Sequence, residues 1–219
     1  MKRVILTGGS DGLGREFAKL CVAEGVEVVL LSRRKPDYPC VHIRTDLTDE
    51  KAIVGAADII KEKYAEFDAL VNCAGLFSGQ KANAITYAEL EATMRVNAIA
   101  PIFLTSQLLD LIKENKADVL NVISTAGLVG KPDHITYGAS KYAQRGFGDN
   151  LRVELAKTAC RVINVYPGGM NTNFFKKYNG SDKASDFMNP AEVAKQMWSA
   201  LKTPKQVEIS EIIINRKSG

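Results

Sequence analysis

Cysteine is scarce in these 219 residues, and Cys21, Cys40, Cys73 and Cys160 stand at none of the paired spacings that ligate a metal or build a disulfide scaffold. They read as reduced thiols, and no metal is expected. Long apolar runs are missing too. No stretch approaches the ~18 residues of a membrane span. Only Val4, Ile5 and Leu6 separate Lys2-Arg3 from polar Thr7, too short for a secretory leader. The expectation is a cytoplasmic protein with no membrane partner. Charge of one sign is not concentrated either: the net charge is +4, but the basic residues are scattered apart from Arg33-Arg34-Lys35 and Lys176-Lys177, which argues against a nucleic-acid partner. Repeats, low-complexity tracts and linkers are absent, so residues 1–219 are expected to form one domain.

What is present is ordinary globular composition, 46% apolar and 25% charged. Short apolar runs predict strands at 3–7, 26–31, 41–44, 69–72, 119–124, 161–166 and 208–214. Stretches of helical period predict helices at 13–24, 49–65, 87–96, 101–115, 136–158 and 190–201. This alternation is that of an α/β fold, a doubly wound parallel sheet of about seven strands with helices on both faces. Residues 168–189 have no clear period, and structureless connections of that length are usually functional. They are the candidate substrate lid, with Met170, Phe174, Phe175, Tyr178, Phe187 and Met188 suggesting an apolar pocket.

Chemistry concentrates in two places. After the first strand, Thr7-Gly8-Gly9-Ser10-Asp11-Gly12-Leu13-Gly14 leads into a helix. Such a glycine turn lets the backbone approach a ligand, and the exposed N–H groups at a helix start favour a pyrophosphate. The G-x-G-x-x-G fingerprint is absent; the spacing is T-G-x-x-x-G-x-G. Farther on, Tyr137 and Lys141 are four apart in a helical stretch and share a face. Ser124 closes the fifth strand at its carboxyl edge, where ligands bind in open α/β sheets. A phenol titrates near ~10, and a neighbouring ammonium favours its ionised form. Tyr137 can then act as general acid toward a carbonyl oxygen, with Ser124 bonded to the same oxygen.

These motifs recur in the order of the short-chain dehydrogenase/reductase family, which the chain resembles in its compact single-domain branch from residue 3 to about residue 214. Asn72-Cys73-Ala74-Gly75 is similar to that family's Asn-Asn-Ala-Gly segment, with Cys73 as a departure, and Asn97 lies in Arg95-Val96-Asn97. The resemblance implies a Rossmann-like fold and hydride transfer between nicotinamide and a carbonyl or secondary alcohol. It makes Asn97, Ser124, Tyr137 and Lys141 catalytic, with Asn97 in a proton relay and Lys141 on the nicotinamide ribose. It places cofactor at Gly8, Ser10, Gly12, Leu13 and Gly14, Asp46 and Leu47 by the adenine, Asn72, Ala74 and Gly75, and Pro167, Gly168 and Thr172 by the nicotinamide. Cys73 reads as a packing residue, His134 as a solvent-facing histidine at a helix entry, and Asp133 as that helix's N-cap.

NADP(H) is expected over NAD(H). An NAD-selective site carries an acid about 20 residues past the glycine loop. Here that place is Ser32-Arg33-Arg34, whose guanidinium and hydroxyl suit a 2′-phosphate, although Asp11 stands where many NADP-selective relatives have a base. The alternatives are an epimerase or dehydratase using the same Tyr-Lys pair, and a non-catalytic dinucleotide-binding regulator. The first has little room, with about 50 residues after Pro167. The second would be expected to lack Ser124, Tyr137 or Lys141. Apolar side chains crowd 101–112 beyond what one buried stripe requires, so a homodimer is expected, with a tetramer as the alternative.

Overall fold

The computed structural model describes residues 1–174 and 187–217. Among these, β1 (Arg3–Thr7), β2 (Glu27–Ser32), β3 (Val41–Arg44), β4 (Ala69–Asn72), β5 (Asp118–Val122), β6 (Val162–Pro167) and β7 (Glu211–Ile214) form one sheet. Every pairing is parallel, in the order β3-β2-β1-β4-β5-β6-β7. The central strands read as nearly continuous apolar runs because both faces are covered, and β5 and β6 are buried at every position. On one face α1 (Gly12–Ala23) and α7 (Pro190–Lys202) set Phe17, Cys21, Val193 and Met197 against Val4, Leu6 and Val71. On the other, α2 (Glu50–Lys63), α4 (Ala100–Gln107), α5 (Leu109–Asn115) and α6 (Ile135–Leu155) set Ile53, Ile60, Leu104, Ile112 and Leu151 against Ile5, Val29 and Leu70.

The strand order turns back at β1, from which the chain runs outward to β3 and then returns to place β4 on the other side. Diverging connections at such a switch point leave a crevice beyond the carboxyl ends of the strands. A polar row crosses the sheet just below it. Asn72, Asn121 and Asn164 are register partners on β4, β5 and β6. Asn72 Nδ2 donates to Asn121 Oδ1 at 3.0 Å and Asn121 Nδ2 to Asn164 Oδ1 at 3.1 Å. Asn164 Nδ2 donates to Asp149 Oδ1 of α6, also at 3.1 Å.

Several local expectations are corrected. β5 stops at Val122, so Ser124 lies two residues beyond the strand and caps a short 3₁₀ turn, Thr125–Gly127. The helix expected at 101–115 is two helices, because Leu108 leaves helical geometry at φ −107° and ψ 5°; Tyr87–Gln107 and Leu109–Asn115 meet at 61°. No single helix among the described residues is long and apolar enough to cross a membrane. Upstream, α3 (Tyr87–Met94) enters α4 through a π-helical turn, Arg95–Ile99. Asp133 does not cap α6; it adopts φ 56°, and His134 takes the cap position without a side-chain bond to the helix.

The apolar surplus at 101–112 is mostly internal: Leu104, Leu108 and Ile112 are buried, and Phe103, Leu109 and Leu111 pack on the same core, leaving Ile102 exposed. Of the candidate lid, residues 175–186, with Phe175 and Tyr178, lie outside the described residues. Its two ends meet, Asn171 N donating to Met188 O at 2.9 Å.

Candidate active site

The carboxyl ends of the central strands open onto a cavity of about 460 Å³. At one end is the glycine turn. Gly8 and Gly12 take φ of 75° and 55°, where a side chain would be strained. Space forbids one as well: a Cβ on Gly8 would stand 2.5 Å from Ala74 Cα, and on Gly14 2.4 Å from Gly8 O. Asp11 caps α1 by accepting from Gly12 N at 2.8 Å. Two contacts fix the turn from behind. Tyr38 Oη donates to Gly9 O at 2.7 Å, and Thr7 Oγ1 accepts from Cys73 N and Ala74 N at 3.1 and 3.2 Å, tying β1 to the end of β4.

Gly8, Ser10, Gly12, Leu13, Gly14, Ser32, Arg33, Asp46, Leu47, Ala74, Gly75, Pro167, Gly168 and Thr172 all line this cavity. Asn72 does not. Its side chain is buried in the sheet on Asn121 and Thr105, because strand register places it in the polar row.

Arg33 and Arg34 form one rim of the cavity. Asp37, the nearest later acid, is held by Arg15 at 2.5 Å and leaves that rim without its carboxylate. Arg34 stands 4.0 Å from Asp11. Asp46 accepts from Thr48 N and Oγ1 at 2.9 and 2.8 Å. These bonds, with a smaller pull from Arg33, hold it below the usual carboxylate range. Ser32 departs from expectation: its hydroxyl donates to Arg34 O at 2.7 Å and so shapes the arginine turn, leaving the guanidiniums as the donors at the rim.

Ser124, Tyr137 and Lys141 come together in the cavity wall, all buried. The Ser124 hydroxyl, which accepts from Ala126 N at 3.1 Å, lies close enough to Tyr137 to favour its ionised form. Burial pushes the phenol up to about 12 against a smaller opposing pull from the Ser124 hydroxyl. The sequence suggests that the ammonium would draw the phenol toward ionisation, yet Lys141 Nζ lies 5.8 Å from the ring centroid and bonds elsewhere, to Val122 O at 3.0 Å and Gln144 Oε1 at 2.8 Å. Burial therefore dominates. Tyr137 stays protonated at neutral pH, the form a proton donor needs. Lys141 is pushed down to about 7, again by burial.

Asn97 is buried in the π-helical turn and does not line the cavity. Its Oδ1 accepts from Leu76 N at 2.7 Å, while Nδ2 donates to Leu76 O at 2.8 Å and Ser140 Oγ at 2.9 Å. The side chain thus clamps the segment after Gly75 to α6 rather than reaching Lys141. Cys73 lines the cavity, but burial pushes its thiol up to about 12, which leaves it an inert neutral group.

His134 is half-buried rather than fully solvent-facing. Its ring packs 5.1 Å from Phe77 and 6.4 Å from Tyr137. Phe77 and Phe174 complete this aromatic cluster, at 5.1 and 6.0 Å from Tyr137. Phe77 and Gln144 escaped the sequence reading. Phe77 sits in an irregular loop with no period to expose it, whereas Gln144, three residues past Lys141 on one helix, was detectable by spacing.

With this geometry in hand, the comparisons are consistent. The family model for short chain dehydrogenase matches residues 2–183. An uncharacterized oxidoreductase of Staphylococcus aureus (strain N315) is 26% identical over 97% of this chain and 96% of its own length. Among solved structures, an alcohol dehydrogenase from the archaeon Thermococcus sibiricus, complexed with 5-hydroxy-NADP, superposes with a TM-score of 0.89 at 21% identity, covering 99% of this chain and 97% of that one. A 4-hydroxyisoleucine dehydrogenase complexed with NADH gives 0.87 at 21%, covering 99% and 98%. The structural likenesses show the fold. The chain belongs to the short chain dehydrogenase family and is an oxidoreductase of the Rossmann-like type.

Proposed function

We propose that this protein is an NADPH-linked carbonyl reductase acting on a small-molecule ketone or aldehyde, and on the corresponding alcohol in reverse. The observation that carries the reading is the convergence of three buried groups, the Ser124 and Tyr137 hydroxyls and Lys141, in the wall of the cavity that begins at the glycine turn. A dinucleotide fits the residues present. The turn excludes side chains at Gly8 and Gly14, as a close backbone cradle for a pyrophosphate would. Two guanidiniums stand at the rim, and the relatives in complex hold NADP-type and NADH ligands.

When bound, the nicotinamide supplies or takes up the hydride. Gly8, Ser10, Gly12, Leu13 and Gly14 would hold the pyrophosphate, Asp46 and Leu47 the adenine side, and Arg33 a 2′-phosphate. Ala74, Gly75, Pro167, Gly168 and Thr172 would flank the nicotinamide half, with Lys141 at its ribose. Tyr137, protonated, donates its proton to the substrate oxygen, an effect typically of ~10² to 10⁴-fold. Ser124 donates to the same oxygen and fixes its distance from the phenol. Asn97 acts by holding Leu76 and Ser140 in place. The carbonyl side is lined by Leu76, Met170 and Phe174, which suits an apolar or aromatic substrate.

The test is oxidation of NADPH and NADH by purified protein across a panel of ketones, aldehydes and quinones. Saturable binding of neither cofactor, with no turnover of any carbonyl, would end this reading. We also propose a homodimer in the cytoplasm, seated on exposed Ile99 and Ile102 of the α3–α4 region; a monomeric mass by light scattering would remove it.

A further inference from the structure

Gln144 lies one helical turn past Lys141 on α6 and has no exposed surface. Its amide is used on one side only. Oε1 accepts from Lys141 Nζ at 2.8 Å, whereas Nε2 has no partner among the described residues. Burying an idle amide NH₂ is costly, and an apolar side chain of similar size would avoid the cost. The oxygen must therefore serve its neighbour.

Counting donors shows how. A lysine ammonium has three N–H donors and no acceptor, so the oxygen of the amide has to face it. One donor goes to Val122 O at 3.0 Å and one to Gln144. The third is left for the cavity, whose wall Lys141 forms. Neither acceptor carries charge, so the cation is anchored at two points without being neutralised. Among the described residues few titratable groups face Nζ. They are Tyr137 on the same helix and the Cys73 thiol at the end of β4, which burial keeps neutral. Lys141 is itself pushed down by burial to about 7, so it sits close to losing its proton at neutral pH. A single polar neighbour is then enough to decide its state.

We infer that Gln144 is a positioning residue that keeps Lys141 charged and aimed into the cavity. This deepens the reductase reading and rests on it for its purpose. A leucine here would leave the buried cation short of an acceptor. A glutamate would hold the cation but cancel the field and the free charge that the cavity uses.

The experiment follows the titration of Lys141 in protein isotope-labelled at lysine Cε, with no dinucleotide added, the signal being assigned by its loss in Lys141→Met. Gln144→Leu is expected to lower the midpoint by about 1 to 2 pH units, the worth of one hydrogen bond to a charged group. Gln144→Glu is expected to raise it. If the leucine variant does not fold, Gln144→Met, of the same length, takes its place. NADPH-dependent carbonyl reduction should fall in both directions, with its pH profile moving down in the apolar variant and up in the glutamate variant. A Lys141 midpoint unmoved by both kinds of substitution overturns the inference, even in an enzyme that reduces carbonyls. Opposite shifts in a protein that reduces no carbonyl uphold the coupling and sink only the reductase reading.

Discussion

Gly148 sets α6 hard against the Asn164 side chain of β6, and replacing it tests how α6 is held. A Cβ at this position would lie 2.2 Å from Asn164 Oδ1 and 2.7 Å from its Nδ2. A side-chain end can usually swing aside, but this one is fully buried and bonded on both sides, to Asn121 and Asp149 at 3.1 Å each. Gly148→Ala therefore forces either the loss of both bonds or a lift of α6 from the sheet. Each buried bond broken with a group left unsatisfied costs about 1 to 3 kcal/mol, and alanine returns about 1 kcal/mol of helix propensity. The net loss should be near ~3 kcal/mol, or a fall in Tm of roughly 6 to 12 °C for a chain of this size. Thermal unfolding of ligand-free protein measures it. The sharper measurement is a double-mutant cycle. In an Asn164→Ala background the obstruction is gone, so Gly148→Ala should become neutral or slightly stabilising. Equal destabilisation in both backgrounds would refute the argument, because the cost would then not come from the asparagine row.

Other expectations follow from the site. Tyr137→Phe should abolish carbonyl reduction while changing NADPH affinity little, since the ring stays and only the proton donor goes; near-wild-type turnover would remove Tyr137 from its role. Arg33→Ala should weaken NADPH binding about tenfold, the worth of a charge-assisted contact, and spare NADH; equal or tighter NADH binding by the wild type would contradict the cofactor preference. Lys141 links stability to pH. Its native value of about 7 lies below the ~10.4 of an unfolded lysine. Within that window the unfolded chain holds the proton and the native chain does not. Stability relative to Lys141→Met should thus rise from pH 7 toward pH 10, and the burial penalty should be complete below pH 7. A pH-independent difference between the two proteins would show that Lys141 is not buried as described.

Local pattern in the sequence was sufficient for much of this. The strands at 3–7, 41–44 and 69–72 and the helix starting at Pro190 stand where the apolar runs and the proline place them. The glycine turn and the Tyr137–Lys141 spacing are properties of a few consecutive residues, and such signals survive in one dimension. Errors came where a neighbour distant in sequence sets the local conformation. The break at Leu108 leaves no trace in the apolar spacing, because Leu104, Leu108 and Ile112 would share a face of an unbroken helix as well, and the half-buried His134 ring packs on Phe77 from a loop far away in sequence.

The sequence by itself determined the class of fold, the position of the glycine turn and the shared helix face of Tyr137 and Lys141, since each is written in periodicity or in a short motif. Tertiary structure alone decided what those groups experience. Ser32 is a neutral donor on paper, but its proton goes to Arg34. Asn72 belongs to a polar row across three strands. Lys141 and Tyr137 are shifted in opposite directions by a burial that no spacing encodes. Gln144 meets Lys141 only in the folded chain, as its one side-chain acceptor among the described residues. Hydrogen-bond partners and dielectric surroundings are set by chain segments far apart in sequence, so they come into existence only when the sheet closes and α6 settles on it.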